Sequence, residues 1–183
     1  WRSVWFLGDY SNAVPLADRI LELAEREGSP ASLVCACYSQ ASTCFFRGDL
    51  AGVERQFARL SDLADAVNFR RIPGTVVATM GLASFCAALM GRADTARERM
   101  SRAITFARDT NNPYDLAVAL TLAGWMFRVL REPKRAEDSI NQALPIVEEH
   151  GFPFVENLSR TVGGAVRAQL GNPAEGIALM RRG

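Results

Sequence analysis

The sequence predicts an all-α chain: an array of about five helical hairpins, the first and last incomplete. Three observations carry this. A six-residue motif recurs at near-constant spacing, small residues recur in phase with it, and the stretches between have helical periodicity.

The motif marks the elbow of each hairpin. "GDYSNA" covers 8–13, "GDLAGV" 48–53, "GRADTA" 91–96, "REPKRA" 131–136 and "GNPAEG" 171–176. Their last residues, Ala13, Val53, Ala96, Ala136 and Gly176, are 40, 43, 40 and 40 positions apart. Ala41, Ser84, Gly124 and Gly164 each stand seven residues before a motif. Leu23, Leu63, Phe106 and Ile146 follow with the same 40, 43 and 40 intervals. Where two helices cross closely, small side chains let ridges enter grooves. The leading glycine suits a left-handed C-cap. Asp49 and Asn172 suit the N-cap, Glu175 stands at capping-box distance from Asn172, and Pro133 and Pro173 fall in a first helical turn.

Taken in order, residues 1–7 read as the tail of the first hairpin's opening helix. "LADRILELAERE" then places Leu16, Ile20, Leu23 and Ala24 on one stripe. "EGSP" at 27–30, "NFRRIPG" at 68–74, "TNNPY" at 110–114 and "HGFPF" at 150–154 separate the units, each with a helix-delimiting proline. Three extra residues in the second of these explain the 43-residue interval. "AEDSINQALPIVEEH" places Ala136, Ile140, Ala143, Leu144 and Val147 on one face. Within it Pro145 removes a bond to Asn141 and predicts a bend or a thinned last turn. Residues 176–183 open a final helix. Trp1, Trp5 and Phe6 at one end, and Ile177, Leu179 and Met180 at the other, are poor caps, so 1–183 reads as a single segment of a longer array.

Composition narrows the function. The formal net charge is +1, which gives no strong pull toward nucleic acid or anionic lipid. No apolar run approaches the ~20 residues needed to span a bilayer. Lys134 is the only lysine, so the basic residues are arginines. Cys35, Cys37, Cys44 and Cys86 form no paired zinc knuckles and read as small apolar residues of a reduced, cytoplasmic protein. His150, the only histidine, suits a helix C-terminus. Glu148 and Glu149 diverge on a helix, and Arg70 and Arg71 read as a solvated loop. No serine has a histidine or lysine placed to activate it, and no Walker motif occurs. No catalytic residue, metal site or cofactor is expected in this segment.

Hairpins with small residues at these positions resemble the tetratricopeptide repeat, whose usual length of about 34 residues is exceeded here. "GWMFRVLREPKRAEDSINQALPIVEEHGFPF" and "LGNPAEGIALMRRG" resemble the C-terminal repeat region of bacterial signalling ATPases. The shared elements are "GW", "EHGFP" and "EGIALMRRG". In that group a nucleotide-cyclase or DNA-binding domain precedes an ATPase module, and a helical array follows. The resemblance implies a right-handed α-α superhelix whose concave face is lined by each hairpin's first helix. By register that face carries Trp5 and Phe6, then Tyr38, Ser42, Phe45 and Phe46. Gly81, Phe85 and Leu89 follow, then Thr121, Trp125 and Arg128, then Thr161 and Gln169. Either the set is an open groove or longer helices curl the array until it becomes core. The implied function is a non-catalytic interaction module that binds a protein segment, such as another domain of the same signalling protein. The alternative is a small-molecule inducer sensor. Its mark would be a closed pocket of a few hundred cubic ångströms with converging polar groups such as Tyr38, Thr121 and Arg128.

Overall fold

The computed structural model describes residues 1, 8–63, 69 and 72–182. These form helices α1 Tyr10–Glu27, α2 Pro30–Phe46, α3 Leu50–Asp62, α4 Pro73–Leu89 and α5 Ala93–Asp109. Helices α6 Pro113–Val129, α7 Pro133–His150, α8 Pro153–Gln169 and α9 Pro173–Met180 complete them. No strand occurs among the described residues. The opening helix expected at 1–7 lies outside them, so nine helices are described where five hairpins would have ten. No described helix is long and apolar enough to cross a membrane.

Each helix packs on the next in the chain, and α2, α4, α6 and α8 also pack on one another in a row. The odd-numbered helices stand on that row without packing on each other. This division follows from the side chains. The even helices are hemmed in on several sides, so they are rich in Ala, Gly, Ser, Cys and Thr. Their hydroxyls are satisfied inside the helix: Thr43 donates to the Ser39 carbonyl at 2.8 Å, Thr79 to Thr75 at 2.8 Å and Ser84 to Met80 at 2.7 Å. The odd helices are amphipathic. Ala136, Ile140, Ala143 and Val147 of α7 are all 0–2 % exposed, as the periodicity predicts.

The elbows share one backbone turn. Asp49, Arg92, Glu132 and Asn172 each donate an amide hydrogen bond five residues back, to Cys44, Ala87, Phe127 and Arg167, at 2.8–2.9 Å. The preceding residue takes the left-handed conformation: Gly48 at φ 76°, Gly91 at 76°, Arg131 at 59° and Gly171 at 95°. Glycine adopts this freely, whereas Arg131 bears a cost of about 1 kcal/mol. Gly28, Asn111 and Gly151 are left-handed between hairpins, so positive φ recurs at 8, 28, 48 and again at 91, 111, 131, 151, 171. The structural period is therefore 20 residues, half the period of the motif, and it slips only between Asp62 and Pro73.

The two small-residue series meet inside the hairpins. Ala13, Val53, Ala96, Ala136, Ala41 and Ser84 are fully buried. A Cβ on Gly164 would lie 2.5 Å from the Gly176 carbonyl oxygen, and one on Gly124 would lie 2.7 Å from Ile140.

Two expectations change. Asp49 caps α3 by accepting from the Gly52 amide at 2.7 Å, but Asn172 makes no side-chain cap. Its own amide is already taken by Arg167 in the elbow, and Glu175 pairs with Arg167 at 3.0 Å, so no capping box forms. In α1 the buried stripe is Ala13, Ala17 and Ala24, while Leu16 and Leu23 are 39 % and 49 % exposed. Among the described residues α1 packs on α2 alone, so one narrow stripe suffices. The helix α7 runs through Pro145 to His150.

Long side chains tie neighbouring odd helices together. Arg59 of α3 reaches Glu25 of α1 at 3.0 Å. Arg99 of α5 holds Glu54 of α3 with two bonds of 2.6 and 3.0 Å and lies 4.5 Å over the Phe57 ring. Arg97 of α5 reaches Glu132, the N-cap of α7, at 2.5 Å. Partial burial works against the Glu132 anion, but the Arg97 and Arg135 guanidiniums outweigh it and hold the carboxyl below its usual range. The planar fork of arginine suits such bridges. This is a use for arginine in a chain with one lysine.

Candidate functional site

The even-helix row borders a solvent-open pocket of about 380 Å³. α2 contributes Tyr38, Ser42, Phe45 and Phe46 from its C-terminal half. α4 contributes Gly74, Thr75, Ala78 and Leu82, preceded by Ile72. α6 supplies Tyr114, Asp115, Val118, Thr121, Leu122 and Trp125, with Asn112 before it, and α8 supplies Phe154, Val155 and Leu158. These positions follow helical spacing, so each helix turns one face to the space. The volume lies within the range of small-molecule sites.

Of the face expected from the sequence, Tyr38, Ser42, Phe45, Thr121 and Trp125 line the pocket. Phe85 is 4 % exposed, in the core behind it. There it packs 5.5 Å from Phe45 and 4.7 Å from Trp125, ring centre to ring centre. One ring from each of α2, α4 and α6 thus joins three helices. Thr121 donates to the Ala117 carbonyl and shares a 2.7 Å hydroxyl contact with Ser159, linking α6 to α8. Arg128 is half-buried and lies off the pocket. Leu89, Thr161 and Gln169 are exposed outside it, and Trp5 lies outside the described residues.

Asp115 is the residue the sequence did not single out. It lies in the first turn of α6, where a carboxylate suits the helix dipole. Yet it is 1 % exposed, and its Oδ2 has no hydrogen-bond partner. Burial pushes its carboxyl above the ordinary aspartate value. Gly74 makes room for it: a Cβ there would sit 2.9 Å from Oδ1. Asp115 is the only charged side chain among the described lining residues. The register carried over from the repeat family points to the C-terminal halves of α4 and α8. The pocket instead draws mainly on their N-terminal halves, which is why Gly74, Thr75 and Phe154 went unmarked.

Other candidates are chemically quiet. Cys37 and Cys86 are buried, Cys44 is half-buried and Cys35 is exposed. Burial, reinforced by Glu54, pushes the Cys86 thiol up to about 12, so it stays protonated. His150 ends α7 and stacks on Phe152 at 5.7 Å. No group of described His, Cys, Asp and Glu side chains could hold a metal ion. A second space of about 490 Å³ opens between α3, α4 and α5, lined by Phe57, Met80 and Phe106.

In comparisons with known proteins, no family model and no curated sequence matches the chain.

Proposed function

We propose that this chain is a non-catalytic, tetratricopeptide-like superhelical module that senses a small molecule within a larger bacterial signalling protein. The even-helix row, the common elbow turn and the regular 20-residue spacing support the repeat reading. The observation that carries the ligand reading is the 380 Å³ pocket spanning four helices, whose lining includes the polar side chains Tyr38, Thr121 and Asp115.

A ligand there would touch consecutive hairpins at once. In an array whose helices pack mainly on adjacent units, such a bridge favours one curvature over others. That preference is what a module could pass to a domain joined to it.

The test is a thermal-shift screen of the chain against metabolites, because a ligand that binds only the folded state raises the melting temperature. Hits should vanish in Val118→Trp, which fills the pocket. Absence of any hit, or hits that survive the filling, would defeat the reading.

A second reading, docking of a protein segment, is favoured by Phe46 and Leu89. They are 53 % and 46 % exposed near the C-terminal ends of α2 and α4. Leu89→Ala, outside the pocket, would weaken a complex with neighbouring domains of the signalling protein while leaving metabolite hits unchanged.

A further inference from the structure

We infer that the pocket selects a small organic ammonium ion, with Asp115 as the countercharge and the aromatic walls around its apolar body. This rests on the pocket being a ligand seat and adds the chemical class of the ligand.

A buried carboxylate is stable only when paired or hydrogen-bonded. Asp115 is 1 % exposed and its Oδ2 lacks any partner, although Asn112, Thr75 and Thr121 stand in the same wall. Thr121 is engaged with Ala117 and Ser159, the Asn112 Oδ1 accepts from the Tyr114 amide at 3.0 Å, and neither Asn112 Nδ2 nor the Thr75 hydroxyl bonds Asp115 Oδ2. A cationic donor brought in by a ligand would supply the missing partner. An anion would face uncompensated repulsion, and a neutral ligand would leave the charge unanswered.

A metal ion fits poorly. Hard cations take six or more oxygen ligands, and this wall offers one carboxylate among mostly apolar groups. Organic ammonium ions need less. One charge-assisted hydrogen bond and the faces of aromatic rings suffice. Tyr38, Tyr114, Trp125 and Phe154 supply those rings from α2, α6 and α8. Gly74 is the enabling detail, since a side chain there would press on the carboxylate.

Two matched pairs decide the matter by calorimetry on the 183-residue chain at neutral pH. They are phenethylamine against 2-phenylethanol, and choline against its uncharged isostere 3,3-dimethylbutan-1-ol. In at least one pair the cation should bind about 10- to 100-fold tighter than its neutral partner, as a bond to a charged group implies. Asp115→Asn should erase that preference. If that variant does not fold, the cation-to-neutral ratio in the unaltered chain still decides. Equal binding within both pairs, or a preference that persists in Asp115→Asn, overturns the ammonium assignment and leaves the pocket reading intact. If none of the four binds while a neutral or anionic metabolite does, the assignment falls alone. If nothing binds in either experiment, both fall.

Discussion

At Asp115 two local effects oppose each other. The first turn of a helix favours a carboxylate by a few tenths to ~1 kcal/mol, while loss of water penalises it by more. The net direction is upward, so the folded state holds the Asp115 proton more tightly than the unfolded chain does. The stabilising contribution of that proton is complete below the unfolded value near ~4 and is lost as pH rises through the folded one. Asp115→Asn, which removes the charge and keeps the shape, should therefore stabilise the ligand-free protein at neutral pH by about 1–2 kcal/mol. The gain should shrink toward zero as pH falls to ~4. Urea unfolding of both proteins across that range measures it, and a gain independent of pH would contradict the account. Nothing in the sequence marks this residue, since an aspartate three positions into a helix is ordinary. What sets it apart is the neighbour across the gap, Gly74, 41 positions away in the chain.

Between paired helices the glycines differ in what they face. A methyl group on Gly164 would meet the Gly176 carbonyl at 2.5 Å, and backbone cannot rotate away. On Gly124 it would meet Ile140, a side chain with rotamers to spare. Alanine gains about 1 kcal/mol over glycine in a helix interior, which partly offsets the crowding. Gly164→Ala should still cost about 1–2 kcal/mol, with Gly124→Ala costing less. Hydrogen exchange should show the loss concentrated in α9, because α9 packs on α8 alone among the described helices. Equal protection of α9 in both variants would show that the close approach is dispensable. The small-residue series was legible in the sequence because helix crossing demands it at every elbow. The identity of the crowding atom was not, since it depends on the depth to which each pair interlocks.

Across the whole molecule the row of even helices is continuous and the odd helices are not, so arginine bridges span the gaps between the latter. Arg99 is the strongest of these by geometry, forked onto Glu54 and stacked on Phe57. Both side chains of the pair are mostly buried, 17 % and 22 % exposed. Arg99→Lys keeps the charge but loses the fork and the stacking, and should lower unfolding free energy by about 1 kcal/mol. Arg19→Lys, in an exposed pair with Glu22 inside α1, should change it by less than ~0.5 kcal/mol. Chemical denaturation of the two variants compares them directly. Similar effects would mean that the odd helices are held by the row beneath them alone.

Helical class, hairpin boundaries, elbow chemistry and the longer interval before Pro73 were set by local rules that act within a few residues: proline at helix starts, glycine at left-handed turns and small residues at crossings. Those rules also explain why Arg131 can occupy a glycine position, since the hydrogen bond from Glu132 to Phe127 holds the turn without one. The tertiary structure decided which even-helix faces meet. It sent Phe85 into the core while Phe45 and Trp125 reached the pocket, and it left Arg128, Thr161 and Gln169 off it. The pocket joins the C-terminal half of α2 to residues 74–82 of α4, 114–125 of α6 and 154–158 of α8, a juxtaposition that no single helix encodes. For the same reason Asp115 became an orphan charge only when α4 closed over it.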